Sequence, residues 1–253
     1  SSPPQIRATL TAGFHVVSLA NNHAFDACDA GFERVRALLE EAGVRSFGAG
    51  RNLAEAAAPA ILDVGDVRLA FLGAVDERTG PNRFATSGRS GVAPMDANRL
   101  LGQVRDLRDR ADHVIVVPHW GEERFAIPSP EQVQLGRDLI EAGASMVLGH
   151  HPHVVQGMET WRDRPIVYSL GNFTASEVPF TDGDRVTWNR VERTGCLFRA
   201  DLDGGSVTNA RQVPIYDSGR DVAEDTGPHG RRLIERRNRA LARGVTLRRY
   251  RRE

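Results

Sequence analysis

Eight histidines occur in the 253 residues, and five of them stand directly after apolar runs that read as buried strands. His23 follows one such run in SLANNHAFD, His119 another in VVPHWGEE, and His150, His151 and His153 a third in VLGHHPHVV. A neutral imidazole is a strong nitrogen donor to divalent metals. In open α/β sheets the loops at the carboxyl ends of the strands are where ligands bind. Three separate loops that each deliver imidazole to that edge point to a metal site. His151 and His153 are two residues apart, so in an extended segment they share a face and reach one metal or two adjacent metals. Asn22 places an amide oxygen beside His23. Asp26, three residues on, can hold the second nitrogen of that imidazole or cap the following helix, and the sequence leaves both roles open. Mixed His, Asn and carboxylate donors suit Mn, Fe or Zn better than Ca or Mg. Trp120 is a candidate wall of a substrate pocket or a packing aromatic. Glu122 and Glu123 are candidate substrate contacts or a solvated pair opening a helix. Asn172, in LGNF, is expected to line the site or to form a turn.

The elements that must position these groups alternate between strand and helix. Residues 4–13 read as a short helical lead-in, 15–20 as a buried strand, and 30–42 as a helix ended by Gly43. Gly65-Asp66 marks a hairpin between 61–64 and 67–75, and Gly204-Gly205 another between 196–202 and 206–214. Helices are expected over 94–110 and 128–142, and strands over 113–117, 145–148 and 166–170. Segments 78–91 and 176–192 read as long loops near the site. The class is α/β with added antiparallel hairpins, organised as one domain over 1–225 and a basic helical tail over 226–253.

Composition removes several chemistries. All 33 basic residues are arginine, so a Schiff-base lysine, a Walker A lysine and a Ser-x-x-Lys nucleophile are excluded for this stretch. Two cysteines, without a CxxC pair, argue against a disulfide framework. The zero net charge is a sum of opposites. Residues 231–253 hold ten Arg and two Glu, a local +8, and the preceding 230 residues hold 23 Arg against 31 acidic groups, or −8. An acidic body with a basic tail does not suit nucleic acid, except at the tail itself, where a solvated helix face is the expectation. No apolar run reaches the roughly 18 residues of a membrane helix. The sequence is therefore expected to be a soluble piece, cytoplasmic as it stands, with anchoring or export left to any segment upstream.

Four ordered motifs carry a resemblance: Asn21-Asn22-His23-Ala24-Phe25-Asp26, His119-Trp120-Gly121, Gly149-His150-His151-Pro152-His153-Val154 and Tyr168-Ser169-Leu170-Gly171-Asn172-Phe173. From about residue 4 to about residue 215 the chain resembles the CapA/PgsA capsule and poly-γ-glutamate biosynthesis family, within the calcineurin-like metallophosphatase superfamily. The resemblance implies a four-layer α-β-β-α sandwich. It implies Asn22, His119, His151 and His153 as metal ligands, His150 as an alternative ligand or neighbour, and His23 as proton donor oriented by Asp26. It further implies two divalent metals (Mn, Zn or Fe) if the family's first ligands, on a strand ending in Gly-Asp and a later acidic loop, lie upstream of Ser1; the alternative is a truncated homologue with half a metal site. Val64-Gly65-Asp66-Val67 mimics that first motif, but it lies after Asn22-His23 and in a hairpin turn.

The activity implied is metal-assisted hydrolysis of a phosphoester or of a γ-glutamyl or peptide-like bond, on an anionic polymer or peptide substrate. CapA-like proteins also include peptide epimerases, in which acid and base groups at the same site exchange an α-proton. A non-catalytic capsule-assembly subunit is the third reading.

Overall fold

The computed structural model describes residues 13–81, 83–175, 177–179 and 185–252. The expected lead-in at 4–13 lies almost wholly outside them. The chain is mixed α/β with several sheets, and it divides into two compact units, residues 1–119 with 142–144, and 120–141 with 145–253. The segment expected as a separate tail is part of the second unit.

The first unit is built on a βαβ crossover. Strand β4 (Ala60–Val64) turns through Gly65, at φ 59°, into β5 (Val67–Val75). After a 3-10 turn and α3 (Ala97–Leu107), β7 (His113–His119) returns parallel to β5 with Val75 opposite His119. The carboxyl ends of both parallel strands are thus level, and His119 sits at that edge. Helix α3 starts three residues later than the pattern suggested, because the Asp96 side chain accepts from Arg99 N at 3.1 Å and fixes the N-terminus there.

Before this hairpin, β1 (Val16–Ser18) leads to α1 (Cys28–Glu41), which buries Phe32, Leu38 and Leu39, and then to β2 (Arg45–Phe47) parallel to β1. The expected strand at 15–20 is shorter and only half-buried. Two short strands, β3 (Ala49–Gly50) and β6 (Gly91–Val92), pair antiparallel beside α2 (Leu53–Ala57) and lack any periodic signal. The core of the unit joins Ala20, Phe25, Phe32, Ala49, Val75 and Val92. A Cβ on Gly48, whose φ is 89°, would lie 2.6 Å from the Cβ of Ala20. Glycine there lets the chain leaving β1 approach closely, which places the Asn21–Asp26 loop.

In the second unit α4 (Pro130–Ala142) opens with a reciprocal cap. Ser129 N donates to Gln132 Oε1 at 2.8 Å and Gln132 N to Ser129 Oγ at 3.2 Å. Strand β8 (Met146–Leu148) pairs parallel with β10 (Arg164–Val167), which pairs antiparallel with β9 (Met158–Trp161). Short strands β11 (Val178–Pro179) and β12 (Arg185–Val186) precede the long hairpin of β13 (Thr194–Asp203) and β14 (Ser206–Asp217), which β15 (Val222–Glu224) extends. Helix α5 (Pro228–Ala242) buries Gly230, Leu233, Ile234 and Leu241, and Ile234 clusters with Val155 and Cys196. Burial pushes the Cys196 thiol up to about 12. A final turn, α6 (Leu247–Tyr250), ends the described chain.

Candidate metal centre

In the first unit the loops after β1, β5 and β7 bring Asn22 and His119 together. His119 is 3% exposed, and its Nε2 lies 2.9 Å from Asn22 Oδ1. The amide is oriented because Asn22 Nδ2 donates to the carbonyl of Thr79 at 3.0 Å, which leaves the oxygen facing the imidazole. Two donors each about 2.1 Å from a metal stand about 3 Å apart at a right-angled geometry. The Asn22–His119 spacing therefore fits two ligands of one cation.

His23 points elsewhere. Its Nδ1 lies 2.8 Å from Asp26 Oδ2, and the two side chains are 66% and 54% exposed. Asp26 does not cap α1: Ala27 is the cap residue, with no side-chain cap bond. Of the two roles the sequence left open, Asp26 takes the one at the imidazole.

In the second unit Glu123, His151 and His153 each present a ligand atom within 4.8 Å of the other two. His153 Nε2 is 3.9 Å from Glu123 Oε1, and the two imidazole rings are 5.8 Å apart. Two imidazoles and a carboxylate form a donor set suited to Zn, Mn or Fe. His150 is not a member of this group.

The histidines do not converge through an extended segment, as their spacing suggested. His151 has φ 104° and His153 φ 60°, both in the left-handed region. Non-glycine residues held there store strain of about 1–3 kcal/mol each, and such strain collects at functional sites. Left-handed backbone at both positions, rather than strand alternation, aims the two rings at one point.

Groups around His153 lock its tautomer. Its Nδ1 is 2.8 Å from Asn172 Oδ1, and Asn172 Nδ2 donates to the carbonyl of Glu192 at 3.1 Å. The amide therefore presents oxygen to the imidazole, Nδ1–H donates to it, and Nε2 keeps its lone pair for a cation on the Glu123 side. Glu192, 3% exposed, pairs with Arg124 Nε at 2.6 Å and accepts from Asn189 N at 2.7 Å. Arg124 N in turn donates to the carbonyl of Pro152 at 2.7 Å, tying the Glu123 loop to the His151–His153 turn. Trp188 packs on His153 with ring centroids 4.9 Å apart.

Packing and hydrogen bonds decide roles that the sequence left open. Trp120 is 1% exposed, stacks on Tyr168 at 6.1 Å and donates its indole N–H to the Tyr168 carbonyl at 2.9 Å, so it packs the interior and does not line a pocket. Glu122 and Glu123 do not open a helix, since α4 begins at Pro130, and Glu123 joins the histidines. Asn172 orients a histidine. Arg124, Trp188 and Glu192 carried no motif, and only folding places them near His153.

Residues 1–177 match the bacterial capsule synthesis protein family PGA_cap. Over 172 residues the chain is 37% identical to the capsule biosynthesis protein CapA of Bacillus anthracis, covering 66% of this chain and 42% of that protein. It is 34% identical over 180 residues to a probable polyglutamine synthesis accessory protein of Mycobacterium tuberculosis, covering 67% and 47%. The chain thus spans less than half the length of these relatives. Among solved structures, a putative 5'-nucleotidase of Staphylococcus aureus aligns with a TM-score of 0.53 at 17% identity, over 93% of this chain and 44% of that one. Likeness at that identity is one of fold, and it agrees with the metallophosphatase-type architecture that the four motifs imply. On the match over residues 1–177, the chain belongs to the CapA-type bacterial capsule synthesis family.

Proposed function

We propose that this chain carries the metal site of a hydrolase acting on a γ-glutamyl or related peptide-like polymer, with phosphoester hydrolysis as the other chemistry open to the same donor set. The observation that carries the proposal is the Glu123, His151 and His153 cluster, with ligand atoms within 4.8 Å and both histidines on left-handed backbone. The names of the relatives, capsule biosynthesis and polyglutamine synthesis, support the polymer class.

Within the second unit His151, His153 and Glu123 would hold a divalent cation, with Asn172 keeping His153 in the Nδ1-protonated form. Within the first unit, Asn22 and His119 are proposed metal ligands on their 2.9 Å spacing. A cation held by these side chains would lower the pKa of a bound water to about 7, the chemistry that hydrolysis at neutral pH requires. His23 is the proposed proton donor. Asp26 accepts from its Nδ1, which orients the ring and leaves Nε2 facing a departing amine or alkoxide. The exposure of both side chains gives a substrate access to that proton.

Metal content of the purified chain, read by mass spectrometry of the elements, tests the site. The wild type should retain Zn, Mn or Fe, and His151→Ala should lose most of it; unchanged content in that variant would sink the assignment. For the reaction, γ-glutamyl peptides incubated in deuterated water should yield new amino termini. α-Deuteration without cleavage would replace hydrolysis by epimerisation.

A further inference from the structure

Helix α5 carries charge that the metal site does not use. At 100° and 1.5 Å per residue, Arg232, Arg236, Arg239 and Arg243 fall within an arc of about 60° and span about 16 Å, roughly one guanidinium every 5.5 Å. All four are exposed, while Leu233, Ile234 and Leu241 on the opposite side are buried. Among the described residues, the acidic partner of this stripe is Glu235, 3.6 Å from Arg239 and itself half-exposed. The charge continues into α6 and beyond, with Arg248, Arg251 and Arg252 exposed. Tyr250 of α6 packs on Phe125 with ring centroids 4.9 Å apart. Phe125 lies two residues past Glu123, so the basic segment is held against the loop that supplies the carboxylate of the metal cluster.

We propose that the outer face of α5 and α6 is a docking track for a linear polycarboxylate chain that leads to the Glu123 loop. The carboxylate nature of the occupant rests on the γ-glutamyl proposal above; the polyanionic requirement rests on the surface itself. Residues 1–230 sum to −8 and residues 231–253 to +8, so the net field of the body disfavours a polyanion and that of this segment attracts one. Guanidinium forks pair carboxylates bidentately, and a regular row of them suits a polymer with regularly repeated carboxylates. A membrane is a poorer occupant, because an interfacial helix must offer an apolar face and that of α5 is packed beneath it. Single-stranded nucleic acid calls for stacking aromatics, and Tyr250 is already engaged by Phe125.

The test is fluorescence anisotropy of labelled poly-L-glutamate with the full chain after chelation, so that metal coordination by the polymer adds nothing. Affinity should fall steeply with salt. The variant R232Q/R236Q/R239Q/R243Q should bind about tenfold or more weakly, the scale of four exposed charge pairs. The corresponding quadruple Lys variant, which keeps the charge but not the bidentate fork, should bind more weakly than the wild type and more tightly than the Gln variant. His151→Ala should lose metal yet bind polymer as the wild type does, which separates failure of the track from failure of the metal site. Wild-type affinity in the Gln variant, salt-independent binding, or tighter binding to phosphatidylglycerol vesicles or a single-stranded oligonucleotide would each overturn the proposal.

Discussion

Replacing Asn172 by Ala removes two hydrogen bonds, the 2.8 Å contact with His153 Nδ1 and the 3.1 Å donation to the Glu192 carbonyl. Each neutral bond contributes about 0.5–1.5 kcal/mol net, so folding stability should drop by about 1–3 kcal/mol. The effect on metal should be larger than that loss suggests. Without the amide oxygen, Nδ1 has no acceptor to hold its proton there, and the ring can rotate or change tautomer. Partners of this kind are worth about 10–100-fold in metal affinity. Titration of the apo chain with Zn against a chromophoric chelator, at a temperature where thermal unfolding shows both proteins folded, measures the difference. Asn172→Asp should retain more affinity than Asn172→Ala, since a carboxylate still accepts from Nδ1. Equal affinity in wild type and Asn172→Ala, alongside lost affinity in His153→Ala, would refute the orienting role while leaving the ligand assignment intact.

Other consequences follow from burial. Arg124→Ala leaves the Glu192 carboxylate, 3% exposed, without its cation; it should cost about 3 kcal/mol in urea unfolding, and adding Glu192→Gln should recover part of that loss. Gly149→Ala would drive a Cβ into the Tyr168 carbonyl and the Trp120 indole nitrogen, so destabilisation of about 1–3 kcal/mol should accompany a shift in tryptophan emission. An unchanged spectrum and midpoint would contradict the tight contact. The raised Cys196 thiol is neutral at pH 9, where roughly 0.1% is thiolate against about half for a free thiol. Iodoacetamide at that pH should label exposed Cys28 alone in the native chain and both cysteines after denaturation. Because the folded-state value is raised, this stabilising contribution is complete below pH 9 and lost as pH rises toward 12.

Elements with internal periodicity were legible from the chain. The Gly65-Asp66 and Gly204-Gly205 hairpins, the helices over 28–41 and 130–142 and the strand after Asp112 follow from local chemistry that needs no partner. Strands β2, β3, β6 and β9 were not, since two to four residues carry no period and exist only because another segment supplies their hydrogen bonds. Helices α3 and α4 start three and two residues later than the apolar pattern, because side-chain caps at Asp96 and Ser129 fix their first turns.

For the site, residue types and order pointed to imidazoles gathered after strand ends, and the family resemblance singled out Asn22, His119, His151 and His153 among them. Geometry was a different matter. His151 and His153 meet through left-handed backbone, which no alternation rule anticipates, and Glu123 joins them only because Arg124 is bonded to Pro152 and Glu192. Trp120, beside His119, was open to a pocket-wall or a packing role, and its stacking on Tyr168 in the interior decided for packing. The sequence by itself determined which donors exist and near which strand ends, since those depend on composition and local propensity. The tertiary structure alone decided which donors face one another, because ligand distances and tautomers are set by contacts between segments far apart in the chain.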